Sequence, residues 1–109
     1  MKQLRVWAIS AALLAGSVAV LSAAKGDATK GKEVFDQCGV CHNPDSAEKK
    51  VGPGLKGLFK WDKLASNGKK PTEANIRAKI DEGGNGMPSY KDLLSDQEKD
   101  DLIAYLKTL

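Results

Sequence analysis

Both cysteines of the chain and its only histidine fall in five consecutive residues, Cys38-Gly39-Val40-Cys41-His42. A chain that places all its soft ligands in one turn has few uses for them. A disulfide between Cys38 and Cys41 would close a loop too short to remove much entropy from the unfolded chain. A thioredoxin-like redox pair needs a strand–helix–strand frame, and no stretch alternates apolar and polar residues long enough to make a strand. A zinc site needs about four ligands, and beyond these three residues only carboxylates remain.

The remaining use fits the spacing. Cys-x-x-Cys-His is the attachment signature of a c-type haem. Cysteines three apart project from the same side of a helical turn, where their sulfurs can form thioethers with the two vinyl groups of one porphyrin. His42, four residues after Cys38, then aims its imidazole at the iron from the same face. The expected cofactor is one covalently attached haem c, held by Cys38 and Cys41, with His42 as proximal ligand.

The rest of the chain suits such a cofactor. Lys2 and Arg5 precede a mostly apolar run from Val6 to Leu21, and Ser22-Ala23-Ala24 supplies the small residues of a cleavage site. This is the layout of a secretory signal over residues 1–24; the alternative is an uncleaved anchor, since the run approaches the length that spans a bilayer. Cleavage leaves residues 25–109 as one domain. A domain of that size often needs a disulfide, a metal or a cofactor to complete its core, and only Phe35, Phe59, Trp61, Tyr90 and Tyr105 remain as aromatics.

Three helices are expected. The first runs from Asp27 or Ala28 to Gln37. The second follows Pro71-Thr72 through Ile76 and Ile80 and stops at Gly83-Gly84. The third begins at Ser95-Asp96-Gln97-Glu98, a capping box, with Leu102, Tyr105, Leu106 and Leu109 on one face. Long loops rich in Gly, Pro, Asn and Lys connect them. Loops of that length are uncommon in a small domain and make sense if they wrap around something.

The chain resembles the class I c-type cytochromes, over essentially all of residues 25–109. Residues 31–42, GKEVFDQCGVCH, are similar to the family's amino-terminal helix, with Gly31 and Phe35 at its Gly-x-x-x-aromatic positions. VGPGLKGLF (51–59) resembles its Gly-Pro-x-Leu segment, GMPSY (86–90) the Met-Pro loop of small bacterial members, and DLIAYLKTL (101–109) the carboxy-terminal helix. The resemblance implies an all-α cytochrome c fold, about three main helices and long loops wrapped around the haem. It also implies that Gly31 and Phe35 cross closely against Leu102, Tyr105 and Leu106, and that the Pro53 carbonyl accepts a hydrogen bond from the non-ligating nitrogen of His42. A tryptophan bonds a haem propionate in many members; Trp61 either does so or packs a loop. Leu55 and Tyr90 are expected to line the haem crevice, or to be ordinary core residues.

Iron that only passes electrons needs a sixth ligand, and after removal of residues 1–24 Met87 is the one methionine left. Thioether ligation favours Fe(II) and raises the potential. Gly83, Gly84 and Gly86 let the backbone turn tightly, and the polar loop argues against the alternative of a core methionine. His42 and Met87 are the expected metal ligands.

Charge is polarised. Without Lys2 and Arg5, the 17 basic residues fall to 15, nearly balanced by 14 acidic ones, but residues 49–70 hold seven lysines against Asp62 while both flanks are net acidic. That excludes a generally basic nucleic-acid binder. The lysines form either a docking patch for an acidic partner or a solubilising surface. The expected function is that of a periplasmic electron carrier, not an enzyme, monomeric, free of the membrane once cleaved, and docking weakly on redox proteins. The alternatives are a haem protein in which Met87 dissociates to admit NO, CO or peroxide, and a noncatalytic haem subunit of a larger complex.

Overall fold

The computed structural model describes residues 26–109. The expected export segment, residues 1–24, lies outside the described residues. The elements run in the order α1 (Ala28–Val34), a 3₁₀ turn (Phe35–Gln37), a second 3₁₀ turn (Leu58–Lys60), α2 (Glu73–Glu82) and α3 (Asp96–Leu106). Among the described residues no strand forms; an isolated antiparallel bridge joins Gly84 and Met87. No helix there is long and apolar enough to cross a membrane.

Each helix starts where its local chemistry directs. The Asp27 carboxylate accepts from the N–H groups of Thr29 and Lys30. Thr72 Oγ1 accepts from Asn75 N–H at 3.1 Å. Ser95 Oγ accepts from Glu98 N–H at 3.1 Å and Glu98 Oε1 from Ser95 N–H at 2.8 Å, the reciprocal capping box. Two boundaries differ from expectation. The first helix is α-helical only to Val34 and then tightens into the 3₁₀ turn, as helix ends often do. Leu109 lies beyond α3, which ends at Leu106; it still packs on the core, and its carbonyl accepts from Gly57 N–H at 2.9 Å.

α1 and α3 cross at contact distance. A Cβ on Gly31 would stand 1.9 Å from the Asp101 carbonyl oxygen and 2.8 Å from Tyr105 Cβ. One turn on, the Phe35 and Tyr105 rings meet at 5.3 Å between centroids, tilted by 57°, a favourable aromatic geometry. Phe35, Leu58, Ile76, Ile80, Leu102 and Leu106 form the centre of the buried core.

Asp101 is buried at this crossing, 4 % exposed. Its Oδ1 accepts from the Asp27 N–H at 2.8 Å and from Gln97 Nε2 at 3.0 Å. The Asp27 hydrogen bond, followed by that of Gln97, outweighs burial and holds the carboxyl below its ordinary range. A carboxyl with a lower pKa folded than unfolded adds stability above its unfolded pKa, and that stability is lost as pH falls through the folded value. The protein should therefore lose stability below about pH 4, where unfolded aspartates protonate. Asp101→Asn should be less stable at neutral pH, and the gap to the parent should close in acid. Denaturant midpoints between neutral and acid pH measure this; a gap that stays constant would remove Asp101 from the acid response.

Candidate functional site

The core surrounds a cavity of about 340 Å³ that is open to solvent on one side. Protein interiors are close-packed, with few voids larger than a water molecule, so a cavity of this size inside a small domain is a place for a ligand. Cys38, Cys41, His42, Pro53, Leu55, Trp61, Met87 and Tyr90 all line it, together with apolar core residues that include Leu58, Ile76, Ile80 and Leu102.

The turn that carries Cys38, Cys41 and His42 grows directly from the end of the first helix. Phe35 carbonyl accepts from the N–H of Cys38 and of Gly39, both at 2.8 Å, and Cys38 carbonyl from those of Cys41 and His42, both at 3.0 Å. Cys38 and Cys41 are not bonded to each other. Burial first, then the neighbouring Cys41, pushes the Cys38 thiol up to about 11. Among the described residues no group of three or more His, Cys, Asp and Glu side chains converges to hold a metal ion.

His42 Nδ1 lies 2.8 Å from the Pro53 carbonyl oxygen. A carbonyl only accepts, so Nδ1 carries the proton and Nε2 keeps the lone pair a metal needs. The ring lies against Gly52, where a Cβ would stand 2.5 Å from His42 Cε1. Gly52 N–H in turn donates to Cys41 carbonyl at 2.9 Å, so the Pro53 segment is stitched to the attachment turn.

Met87 is presented by a two-residue turn. Gly84 N–H donates to Met87 carbonyl at 2.9 Å and Met87 N–H to Gly84 carbonyl at 3.1 Å. Between them Asn85 and Gly86 both have positive φ, 55° and 91°, which is the turn that an Asn-Gly pair favours. Met87 is half-buried and packs on the core. Tyr90 is buried, and its hydroxyl is pushed above its ordinary pKa by burial and then by Cys38 and Cys41.

Trp61 donates its indole N–H to Lys56 carbonyl at 3.0 Å. Its ring lines the cavity. Of the lysine-rich stretch, Lys49 lines the cavity, Lys50 Nζ donates to Gly39 carbonyl at 2.9 Å, and Lys56, Lys60, Lys63, Lys69 and Lys70 are exposed. Sequence reasoning missed Leu64 and Lys79 as lining residues. Leu64 is a lone leucine in a polar loop, and nothing in its neighbours marks it as buried.

The residues present fit a flat, apolar macrocycle. An apolar slot is flanked by two thiols, an imidazole with its metal-binding nitrogen free and a thioether.

Residues 28–109 match the family model described as Cytochrome c. The chain is 37% identical to cytochrome c2 of Blastochloris viridis, over 87% of this chain and 86% of that protein. It is 33% identical to cytochrome c6 of Synechocystis, over 78% and 68%. Among solved structures it is similar to cytochrome cH of Methylobacterium extorquens, with a TM-score of 0.58 and 31% identity over 77% of this chain and all of that one. Cytochrome c6 of the diatom Phaeodactylum tricornutum gives a TM-score of 0.59 at 28% identity, over 76% and 93%.

Proposed function

The chain belongs to the cytochrome c family and is therefore a haem electron carrier with one covalently attached haem c; from that premise we propose that it works as a soluble, exported, monomeric one-electron shuttle with His42 and Met87 as axial ligands. Bound in the cavity, the haem supplies a reversible Fe(II)/Fe(III) couple. The chain's own residues set the conditions for it. Cys38 and Cys41 hold the macrocycle through thioethers. Pro53 fixes the His42 tautomer and, by drawing on Nδ1–H, makes the ring a stronger donor. The Met87 thioether favours the reduced iron and raises the potential. Leu55, Leu58, Tyr90 and the rest of the apolar lining keep water from the site, which stabilises the less charged state further.

The observation that carries this reading is the convergence of both thiols, His42 and Met87 on one apolar cavity, with His42 Nδ1 already committed to Pro53. With His42 and Met87 both on the iron, no position there would be left for a substrate. Partners are redox proteins, and the reading includes brief encounters through a small interface, as electron-transfer pairs make. The exposed lysines between residues 49 and 70 suit an acidic partner, in which case the transfer rate falls as salt rises; a rate indifferent to salt would leave them a solubilising surface.

The test is direct. Acid–acetone extraction should leave the haem on the polypeptide, and the intact mass after periplasmic release should equal residues 25–109 plus one haem. The ferric protein at neutral pH should show the sulfur-to-iron absorption band. Haem that washes out would end the covalent assignment. A ferric spectrum without the band, with immediate CO uptake by the ferrous form, would favour a ligand-binding haem protein.

A further inference from the structure

We propose that Lys99, paired with Asp81, is a positioning residue for the Met87 loop: an ion pair, buried on its lysine side, that fixes the far end of the loop to two helices and so keeps Met87 at the cavity. The proposal rests on the reading of Met87 as an axial ligand.

Lys99 lies in α3 yet is 5 % exposed, unusual for a lysine unless it is paired. Its Nζ stands 2.8 Å from Asp81 Oδ1 in the last turn of α2, and it donates to the Lys91 carbonyl at 3.0 Å. Asp81 Oδ1 is buried and makes no aligned hydrogen bond, so attraction to the ammonium is what compensates its loss of water. Asp81 works twice. Its backbone carbonyl accepts from Ser89 Oγ at 2.5 Å, while the Ile80 carbonyl beside it accepts from Tyr90 N–H at 2.9 Å. Ser89, Tyr90 and Lys91 are thus held in succession by Asp81, Ile80 and Lys99.

The near end of the loop is held separately. Gly83 N–H donates to Lys79 carbonyl at 2.8 Å, and Gly83 carbonyl accepts from Lys79 Nζ at 2.9 Å. Only the turn from Gly84 to Met87, and Pro88, stand between the two anchors. An ion pair with one partner buried and the other half-buried is a weak source of stability, because desolvation and solvent screening offset most of the attraction. Its geometry is what matters here. The Lys99 ammonium reaches the Asp81 carboxylate and the Lys91 carbonyl together in one arrangement of α2, α3 and the loop.

The experiment uses the haem-loaded protein with Lys99→Met and with the double variant Asp81→Asn/Lys99→Met. The single variant leaves the half-buried Asp81 carboxylate without its cation; the double variant removes both charges and guards against misfolding. Two readouts are taken: uptake of imidazole by the ferric protein, which requires Met87 to leave the iron, and amide hydrogen exchange. In the double variant imidazole uptake should rise about tenfold or more, and the Gly84, Met87 and Tyr90 amides should exchange faster, while Leu102 and Leu106 in α3 keep their protection, the signature of local opening. Imidazole uptake at the parent rate would overturn the proposal, as would protection lost equally in the loop and in α3. The parent's spectrum is read first. A ferric parent without the sulfur-to-iron band would refute Met87 ligation itself, and the proposal with it, whereas a parent with the band and an indifferent double variant refutes the clamp alone.

Discussion

Met87→Ala is expected to keep its covalent haem while losing the ferric sulfur-to-iron band. Attachment depends on Cys38 and Cys41, which the substitution leaves alone, and the proximal side remains fixed by the His42–Pro53 contact of 2.8 Å. The potential should fall by on the order of 0.1 V or more, within the roughly 0.8 V that axial ligation spans, because the ligand that favours Fe(II) is gone. CO and NO should bind the variant readily and the parent slowly. Thermal stability should drop as well, since the turn between Gly84 and Met87 loses its attachment to the site and keeps only the anchors at its ends. Met87→His should restore low-spin iron, at a potential below the parent's. Optical spectroscopy, potentiometry and CO titration read all of this. An unchanged potential and an unchanged ferric spectrum in Met87→Ala would mean that another group, or none, occupies the sixth position.

Gly31→Ala should be the most damaging single change away from the cavity. The added Cβ would meet the Asp101 carbonyl oxygen at 1.9 Å and its carbon at 2.5 Å. Both are backbone atoms of α3, so no side chain can swing aside, and α1 and α3 must move apart. Overpacking of this kind costs about 1–3 kcal/mol or more, which for a domain of this size lowers Tm by roughly 10–20 °C at the upper end. Separation would also stretch the hydrogen bond from Asp27 N–H to Asp101. Calorimetry on the haem-loaded variant is the measurement, with the optical spectrum expected to match the parent because no cavity residue changes. A Tm within a few degrees of the parent would show that the crossing relaxes freely.

What could be read in the sequence was what is local. The turn from Cys38 to His42 announces itself because the chemistry needs those residues at that spacing, and the capping box at Ser95 because both of its hydrogen bonds lie within four residues. The glycines at 83, 84 and 86 marked a tight turn, though not that Asn85 would share it with Gly86 at positive φ. The Pro53 contact and the tight passage at Gly31 came through family resemblance, since neither residue by itself says what it touches. Ile103, Leu94 and Leu64 are buried without having been singled out. Leu109 follows the helical spacing but lies past the end of α3, where a tighter turn brings it to the core. The pair of Asp81 and Lys99 had no signal at all. The two residues come from different helices, and in the sequence each is one charge among many on a polar face. Their burial follows from how α2 and α3 pack, which no local pattern encodes.

The cavity at the centre of the core also ties the making of the site to the making of the fold. Phe35, Leu58, Ile76, Ile80, Leu102 and Leu106 belong both to its lining and to the buried core. A domain of this size has few apolar residues to spare and often completes its core with a cofactor. Attachment at Cys38 and Cys41 would therefore complete the core as well as the site, so that ligation and folding reinforce one another.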